Sequence, residues 1–304
     1  LYTETLFTGE SNPIELSRGL IFFELDDVSS SLSGKTDFSH SSFKAVLKLH
    51  DVQGNQVAPN DFDLAVFALS QSFDEGKGRD ISSFSFLDRT NWVTASLTTA
   101  GNIPWNSTGA FSSGTLNANN IDIIEDGVIG GTSTYLVKSQ RFSSPNQNLE
   151  IDVTNIVSAS MTGILPNHGF LISYSGSQEH DHETRFVKRF ASRHTRNPYI
   201  RPKLIVEYDD SKVDNNQNFE FNVTGSLFLE NFSRGAVANI LSGSANSEVE
   251  GDNCILLKLH TGSYEKYFTG SQSAIAGVSQ TGQYIATFAI DRYLSASVTT
   301  EETL

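Results

Sequence analysis

Residues 43–49 read Phe43-Lys44-Ala45-Val46-Leu47-Lys48-Leu49. Phe43, Ala45, Leu47 and Leu49 fall on one side of an extended chain, with Lys44 and Lys48 opposite. Alternation with period two is the signature of a strand that buries one face and wets the other. The same rhythm continues on either side of this stretch. Asp63 to Leu69 sets Leu64, Val66 and Ala68 against Ala65 and Phe67. Upstream, Gly19-Leu20-Ile21-Phe22-Phe23-Glu24-Leu25 is a short apolar, aromatic run closed by Asp26-Asp27, which reads as a buried strand. Downstream, Gly169–Tyr174 and Lys203–Tyr208 are two more strands with turn signals between them.

The fold class expected is therefore all-β: a jelly-roll-like β-sandwich followed by a second, smaller, immunoglobulin-like β-sandwich. Ser70 to Ser144 reads as a long irregular stretch holding Trp92, Trp105 and short strands at Ile121–Ile124 and Tyr135–Val137. Val153–Met161 is the best candidate for a helix. The run Asp209-Asp210-Ser211-Lys212-Val213-Asp214-Asn215-Asn216-Gln217-Asn218 holds almost nothing that could be buried. The expected domains are thus 1–210, a polar linker at 211–218, and a second all-β domain at 219–304. Strands are expected there at Phe219–Val223, Ser226–Leu229, Cys254–Leu259 and Tyr284–Ile290. The chain begins without Met and ends at Leu304 without an evident stop, so a piece of a longer polypeptide is expected. Two short echoes, Leu47-Lys48-Leu49-His50 with Leu257-Lys258-Leu259-His260 and Ser17-Arg18-Gly19 with Ser233-Arg234-Gly235, raise the option of a duplicated β-unit.

Composition narrows the function. Hydrophobic residues make up 38% of the 304, below the usual globular share. The formal net charge of −14 repels phosphate backbones and argues against nucleic-acid binding. No stretch approaches the roughly 20 apolar residues of a membrane-spanning helix. Cys254 stands alone, which excludes an intrachain disulfide and favours assembly in a reducing cytoplasm. Its simplest reading is a small buried apolar residue.

Several segments of the first domain resemble the DNRLRE-type β-sandwich, a module related to carbohydrate-binding modules of secreted bacterial proteins. They are Ser17–Leu25, Lys44–Leu49, Leu64–Leu69 followed by Phe73-Asp74-Glu75-Gly76, Leu149–Thr154, Asn167–Ile172, and Phe190-Ala191-Ser192-Arg193 followed by Arg201–Tyr208. Phe73 stands where that family usually has Trp, and His194 where it usually has an acid. In the second domain, Tyr264–Gln272 and Thr281-Gly282-Gln283-Tyr284 are similar to segments of virion structural proteins of tailed bacteriophages. These resemblances imply a structural component of a phage particle, of tail, neck, baseplate or fibre type.

Catalytic patterns are missing from the sequence. Gly34-Lys35-Thr36 ends like a phosphate loop, but its first glycine position is Ser29. There is no Gly-x-Ser-x-Gly elbow. An enzyme would need an acid pair in a cleft, which sequence alone does not reveal. Glu179-His180-Asp181-His182-Glu183 would present two imidazoles on one strand face, yet a zinc site needs more ligands, and a solvated loop tip is the simpler reading. Asp26, Asp27, Asp209, Asp210 and Asp214 are oxygen donors without an EF-hand pattern, and suit turns and caps. No metal and no cofactor is expected. Sequons at Asn106, Asn222 and Asn231 are no more than chance in so Asn-, Ser- and Thr-rich a chain.

One feature departs from the acidic background. From Thr184 to Val206 come Arg185, Lys188, Arg189, Arg193, Arg196, Arg201 and Lys203, with no Asp or Glu. Contact with an acidic neighbouring subunit is the preferred reading. Binding of a polyanionic glycan, or neutralisation of nearby sheet carboxylates, are the others. The expectation is a virion protein, assembled in the host cytoplasm as a homo-oligomer among other virion proteins. The alternative is an extracellular carbohydrate-binding module, with Trp92, Trp105 and Tyr199 stacking on sugar rings.

Overall fold

Period-two segments pair as strands throughout the protein, and a computed structural model describes residues 3–5, 14–53, 61–76, 89–180 and 188–297. The architecture is all-β, β-sandwich-like, with several sheets and a few short helices. The chain divides into two compact units: residues 1–31 with 44–207, and residues 32–43 with 208–304.

The first unit runs β1 (Thr3–Thr5), β2 (Ile14–Leu16), β3 (Gly19–Ile21), α1 (Asp26–Leu32), β4 (Lys44–Leu49), β5 (Phe62–Leu69), β6 (Thr94–Thr98), β7 (Gly101–Pro104), β8 (Ser113–Thr115), β9 (Ile123–Ile129), β10 (Thr132–Tyr135), β11 (Lys138–Phe142), β12 (Leu149–Asp152), α2 (Thr154–Met161), β13 (Phe170–Tyr174), α3 (Gly176–His180) and β14 (Lys203–Glu207). Its larger sheet has the order β10-β9-β5-β13-β3, with β11 also pairing β5 and β8 pairing β9. A second sheet has the order β12-β4-β14. Pairings are antiparallel except β8 with β9.

Burial follows the sequence rhythm. In β4, Ala45, Leu47 and Leu49 are buried while Lys44 is exposed. β5, flanked on both sides, buries Leu64, Val66, Ala68 and also Ala65. Leu69, Ala95, Trp105, Ala110, Ile123 and Leu171 form one core cluster, with Leu20, Phe67 and Phe73 packed on it. Elsewhere Phe62 stacks on Phe142 at 4.8 Å.

The strand expected at Gly19–Leu25 stops at Ile21. Its partner β13 begins at Phe170, opposite Ile21, and Gly169 before it turns at φ 88°. A Cβ at Gly169 would lie 2.4 Å from the Ile21 carbonyl oxygen, so only glycine fits there. The stretch Ser70 to Ser144, expected to be irregular with short strands at Ile121–Ile124 and Tyr135–Val137, holds six strands among its described residues, β6 to β11, of which β9 and β10 overlap those two. Their alternation is mostly of polar residues: in Lys138-Ser139-Gln140-Arg141-Phe142 only Phe142 is buried. α2 lies where the helix is expected. Its first turn is tied down by Asp152 Oδ1, which accepts from the Thr154 amide at 2.9 Å, while Thr154 Oγ1 accepts from the Ala45 amide of β4.

The second unit runs β15 (Gly225–Glu230), β16 (Phe232–Ser233), β17 (Ala236–Val237), β18 (Leu241–Ser242), β19 (Ser247–Glu248), β20 (Ile255–Thr261), β21 (Tyr264–Ile275) and β22 (Val278–Phe288). Its main sheet is antiparallel in the order β15-β22-β21-β20, joined by two tiny hairpins, β16–β17 and β18–β19. Tyr264, Phe288 and Ile290 form the core, with Phe219, Phe221, Leu227, Leu259, Phe268 and Leu294 against it. The strand expected at Phe219–Val223 does not form. The chain turns there, with Asn222 at φ 63°, although Phe219 and Phe221 still bury their rings edge-on to one another.

The polar run at 211–218 is held to β15: the Asn215 amide donates to the Ser226 carbonyl at 2.7 Å, and Asn215 Oδ1 accepts from the Ser226 amide. The segment 32–43 also belongs to this unit, where the Asp37 amide donates to the Ala276 carbonyl at 2.8 Å. The Ser39 hydroxyl and amide both donate to the Asp37 carboxylate and hold its pKa below the usual range. Cys254, expected to be buried, is half-buried at the start of β20.

Of the two echoes, Leu47–Leu49 and Leu257–Leu259 both lie in strands, β4 and β20, but the Ser-Arg-Gly pair differs in structure. Arg18 is buried in an ion pair before β3, whereas Arg234 sits at φ 52° in the β16–β17 turn. Among the described residues no helix is long and apolar enough to cross a membrane.

Candidate docking surface

The basic island is built on a buried anchor. Phe190 bridges to Asp51, the Ala191 amide donates to the His50 carbonyl, and the Val52 amide to that of Arg189, so residues 188–191 run beside the end of β4. Lys188 is fully buried. Its Nζ donates to Asp51 Oδ1 at 2.6 Å and to the carbonyls of Pro145 at 2.7 Å and Gln147 at 2.8 Å. The rings of Phe142 and Phe190 lie 5.3 Å from the ammonium. An ammonium has three N–H donors, and here each has an acceptor. Lys188 is thus removed from any outer contact, which corrects its inclusion among the surface residues.

Beyond the anchor the chain turns outward. The Thr195 amide donates to the Ser192 carbonyl, Asn197 Oδ1 caps a short 3-10 turn by accepting from the Tyr199 amide, and Arg201 Nε and one terminal nitrogen donate to the Thr195 carbonyl. These bonds hold the loop in a defined shape while Arg189, Arg193, Arg196 and Arg201 stay exposed and Tyr199 keeps 78% of its surface in solvent. Arg193 pairs with Glu75 at 2.6 Å, and His194 Nε2 lies 3.8 Å from the same carboxylate. Two segments far apart in the sequence, Phe73–Gly76 and Phe190–Arg193, therefore meet. Arg185 lies outside the described residues.

The tryptophans divide sharply. Trp105 is 6% exposed, and its indole N–H donates to the Asn91 carbonyl at 3.0 Å. It is a core residue and offers no face to a sugar, which removes it from the stacking set. Trp92 keeps 38% exposure. Its ring lies over Gly109, where a Cβ would come within 2.5 Å of it, and meets Phe111 edge-on at 5.8 Å. The Phe111 ring also carries the Arg18 guanidinium, 3.6 Å from its centroid.

Three polar centres that sequence reasoning missed hold this region. Arg18 forms a two-pronged pair with Glu179, at 2.9 and 2.6 Å, and donates to the carbonyls of Gly109 and Ala110. Glu179 is thereby spent, and the metal candidate at 179–183 loses its first ligand. Asp181, His182 and Glu183 lie outside the described residues, and His180 ends a helix instead of lying on a strand. Asp122, fully buried, accepts from the Asn106 and Ser107 amides and from the side chains of Gln71 and Asn106. Lys188 is the third. Nothing in the sequence marks such residues, because their partners lie far along the chain. Among the described residues no three His, Cys, Asp or Glu side chains converge as metal ligands.

Chemically, the loop offers guanidinium donors and a phenol ring. That set binds carboxylates and flat or apolar surfaces. No protein family matches the chain, and no curated protein or solved structure is detectably similar to it.

Proposed function

We propose that the protein is a structural component of a tailed-bacteriophage particle, of tail, neck, baseplate or fibre type, that docks onto neighbouring virion subunits. The first unit would be a jelly-roll-like module and the second an immunoglobulin-like one. The observation that carries the docking half is the 189–201 loop: exposed arginines around an exposed Tyr199, on a rigid support, in a chain of net charge −14. Arg and Tyr are the residue types that dominate interface energetics, and their charge is complementary to an acidic neighbour. The particle setting rests on the segment resemblances.

The test is to purify particles from a host infected with a phage encoding the chain. Mass spectrometry and immunogold labelling are expected to find it in fixed copy number at one place on the particle. Its absence from particles, with recovery as a free secreted protein, would overturn the reading.

The exposure of Trp92 favours one second reading, an extracellular carbohydrate-binding module. In that case a glycan array would show binding that Trp92→Ala and Tyr199→Ala each weaken. An empty array, or binding indifferent to both changes, removes it.

A further inference from the structure

The second unit carries a surface that matches the loop. Its two hairpins bury little of themselves: Phe232, Val237, Ile240 and Leu241 are all exposed. Phe232 and Val237 are cross-strand partners and so share a face, and Leu241 pairs with Glu248. Glu248, opposite Leu241, and Glu250, which shares the Asn239 side chain with it, are both exposed, as is Asp252 two residues further along the chain. From residue 235 to 257 the sequence has no Lys, Arg or His; Arg234, in the first hairpin turn, and Lys258 bound the stretch. Monomeric proteins seldom leave adjacent large apolar side chains in water without a use.

This surface is held in place. Asn239, 7% exposed, donates through Nδ2 to Glu248 at 2.9 Å and Glu250 at 2.8 Å, and its Oδ1 accepts from the Gly282 amide at 2.6 Å. Tyr284 accepts from the Ile240 amide and donates to the Val249 carbonyl, both at 2.9 Å. The Glu248 and Glu250 carboxylates therefore stand at fixed positions before any partner arrives, which lowers the ordering cost of binding.

We infer that the occupant of this patch is the 193–201 loop of a second copy of the chain, with Tyr199 on the Phe232–Leu241 apolar surface and Arg193, Arg196 and Arg201 facing Glu248, Glu250 and Asp252. The inference rests on the docking reading above and names its partner. The argument for a second copy is complementarity within one sequence: residues 184–206 hold cations and no Asp or Glu, and residues 235–257 hold carboxylates and no cation. Joining two different surfaces makes the contact heterologous, able to close into a ring or extend along a filament.

Mixing charge-reversed chains tests it. One variant carries Arg196→Glu with Arg201→Glu, the other Glu250→Lys with Asp252→Lys. Light scattering on size-exclusion columns is expected to show self-association of the unaltered chain, weakened at least about tenfold in each variant. The two variants mixed in equal amounts should associate again, because each interface then has opposite charges. Tyr199→Ala and Phe232→Ser, both at exposed sites that leave the core intact, should weaken association without a charge change. A monomeric unaltered chain overturns the inference, as does self-association that Tyr199→Ala and Phe232→Ser leave unchanged, or a mixture of folded charge variants that stays monomeric. A monomer that is still found in particles would sink this contact and spare the virion reading. A self-associating chain absent from particles would do the reverse.

Discussion

Within one short basic segment, neighbouring cations have opposite roles. Lys188 is sealed beneath the loop with Asp51 and two carbonyls, while Arg193 lies in solvent beside Glu75. Removing one partner of a buried pair leaves the other desolvated and alone, at a cost of about 3–5 kcal/mol. An exposed pair contributes about 0–1 kcal/mol. Urea denaturation of Lys188→Ala is therefore expected to show a loss in the higher range, and Arg193→Ala one in the lower. Equal losses would contradict the assignment of anchor and surface. The sequence showed seven cations in a row of twenty-three residues and no way to tell them apart, because the acceptors of Lys188 come from positions 51, 145 and 147. The same limit applies to the tryptophans. Trp92 and Trp105 read alike in the sequence, and a single carbonyl, that of Asn91, together with burial, makes one of them core.

Among the elements, legibility followed the strength of the apolar alternation. β4 and β5 are visible in the sequence because a buried face writes apolar residues at every second position, and β13, β14 and β20 because each carries a run of three apolar residues. β9 and β10 were legible only in part, through Ile121–Ile124 and Tyr135–Val137, and β6, β7, β8 and β11 were not, since they carry few apolar residues and their pairing partners, more than sequence, keep them extended. At Phe219–Val223 the converse error arises: aromatic residues suggest a strand, and the turn at Asn222 buries them without one. α2 was legible, and its anchor makes it pH-sensitive. Burial pushes the Asp152 carboxyl up, but the Thr154 hydroxyl and amide, then Lys138 and Lys44, outweigh it, so the net pKa is lowered. A lowered carboxylate stabilises the fold fully above its unfolded value, near about 4, and that stability fades as pH falls through the lower folded value. Asp152→Asn should thus be less stable than the unaltered protein at neutral pH, and the gap should close on acidification. Thermal melts at a series of pH values check this. Parallel curves down to the lowest pH would contradict it.

At the scale of the whole molecule, no periodicity announces that residues 32–43 belong with the second unit, because the ties are local contacts such as the Asp37 amide with the Ala276 carbonyl and Asp37 and His40 against Gly277. Part of the charge distribution was legible: a net −14 interrupted by a run of seven cations at 184–206, whereas the carboxylates near the second unit's hairpins were not singled out. What the folded chain adds is that both regions are exposed and braced by buried polar groups, Lys188 under the one and Asn239 under the other. Attraction between such surfaces is screened by salt, with a Debye length of about 10 Å at 0.1 M and about 3 Å at 1 M. Sedimentation velocity of the unaltered chain over a range of concentrations, in low and in high salt, reads this directly. The account predicts species larger than a monomer that grow with concentration in low salt and dissociate at 1 M salt. A single monomeric boundary at every concentration and both salts would contradict it.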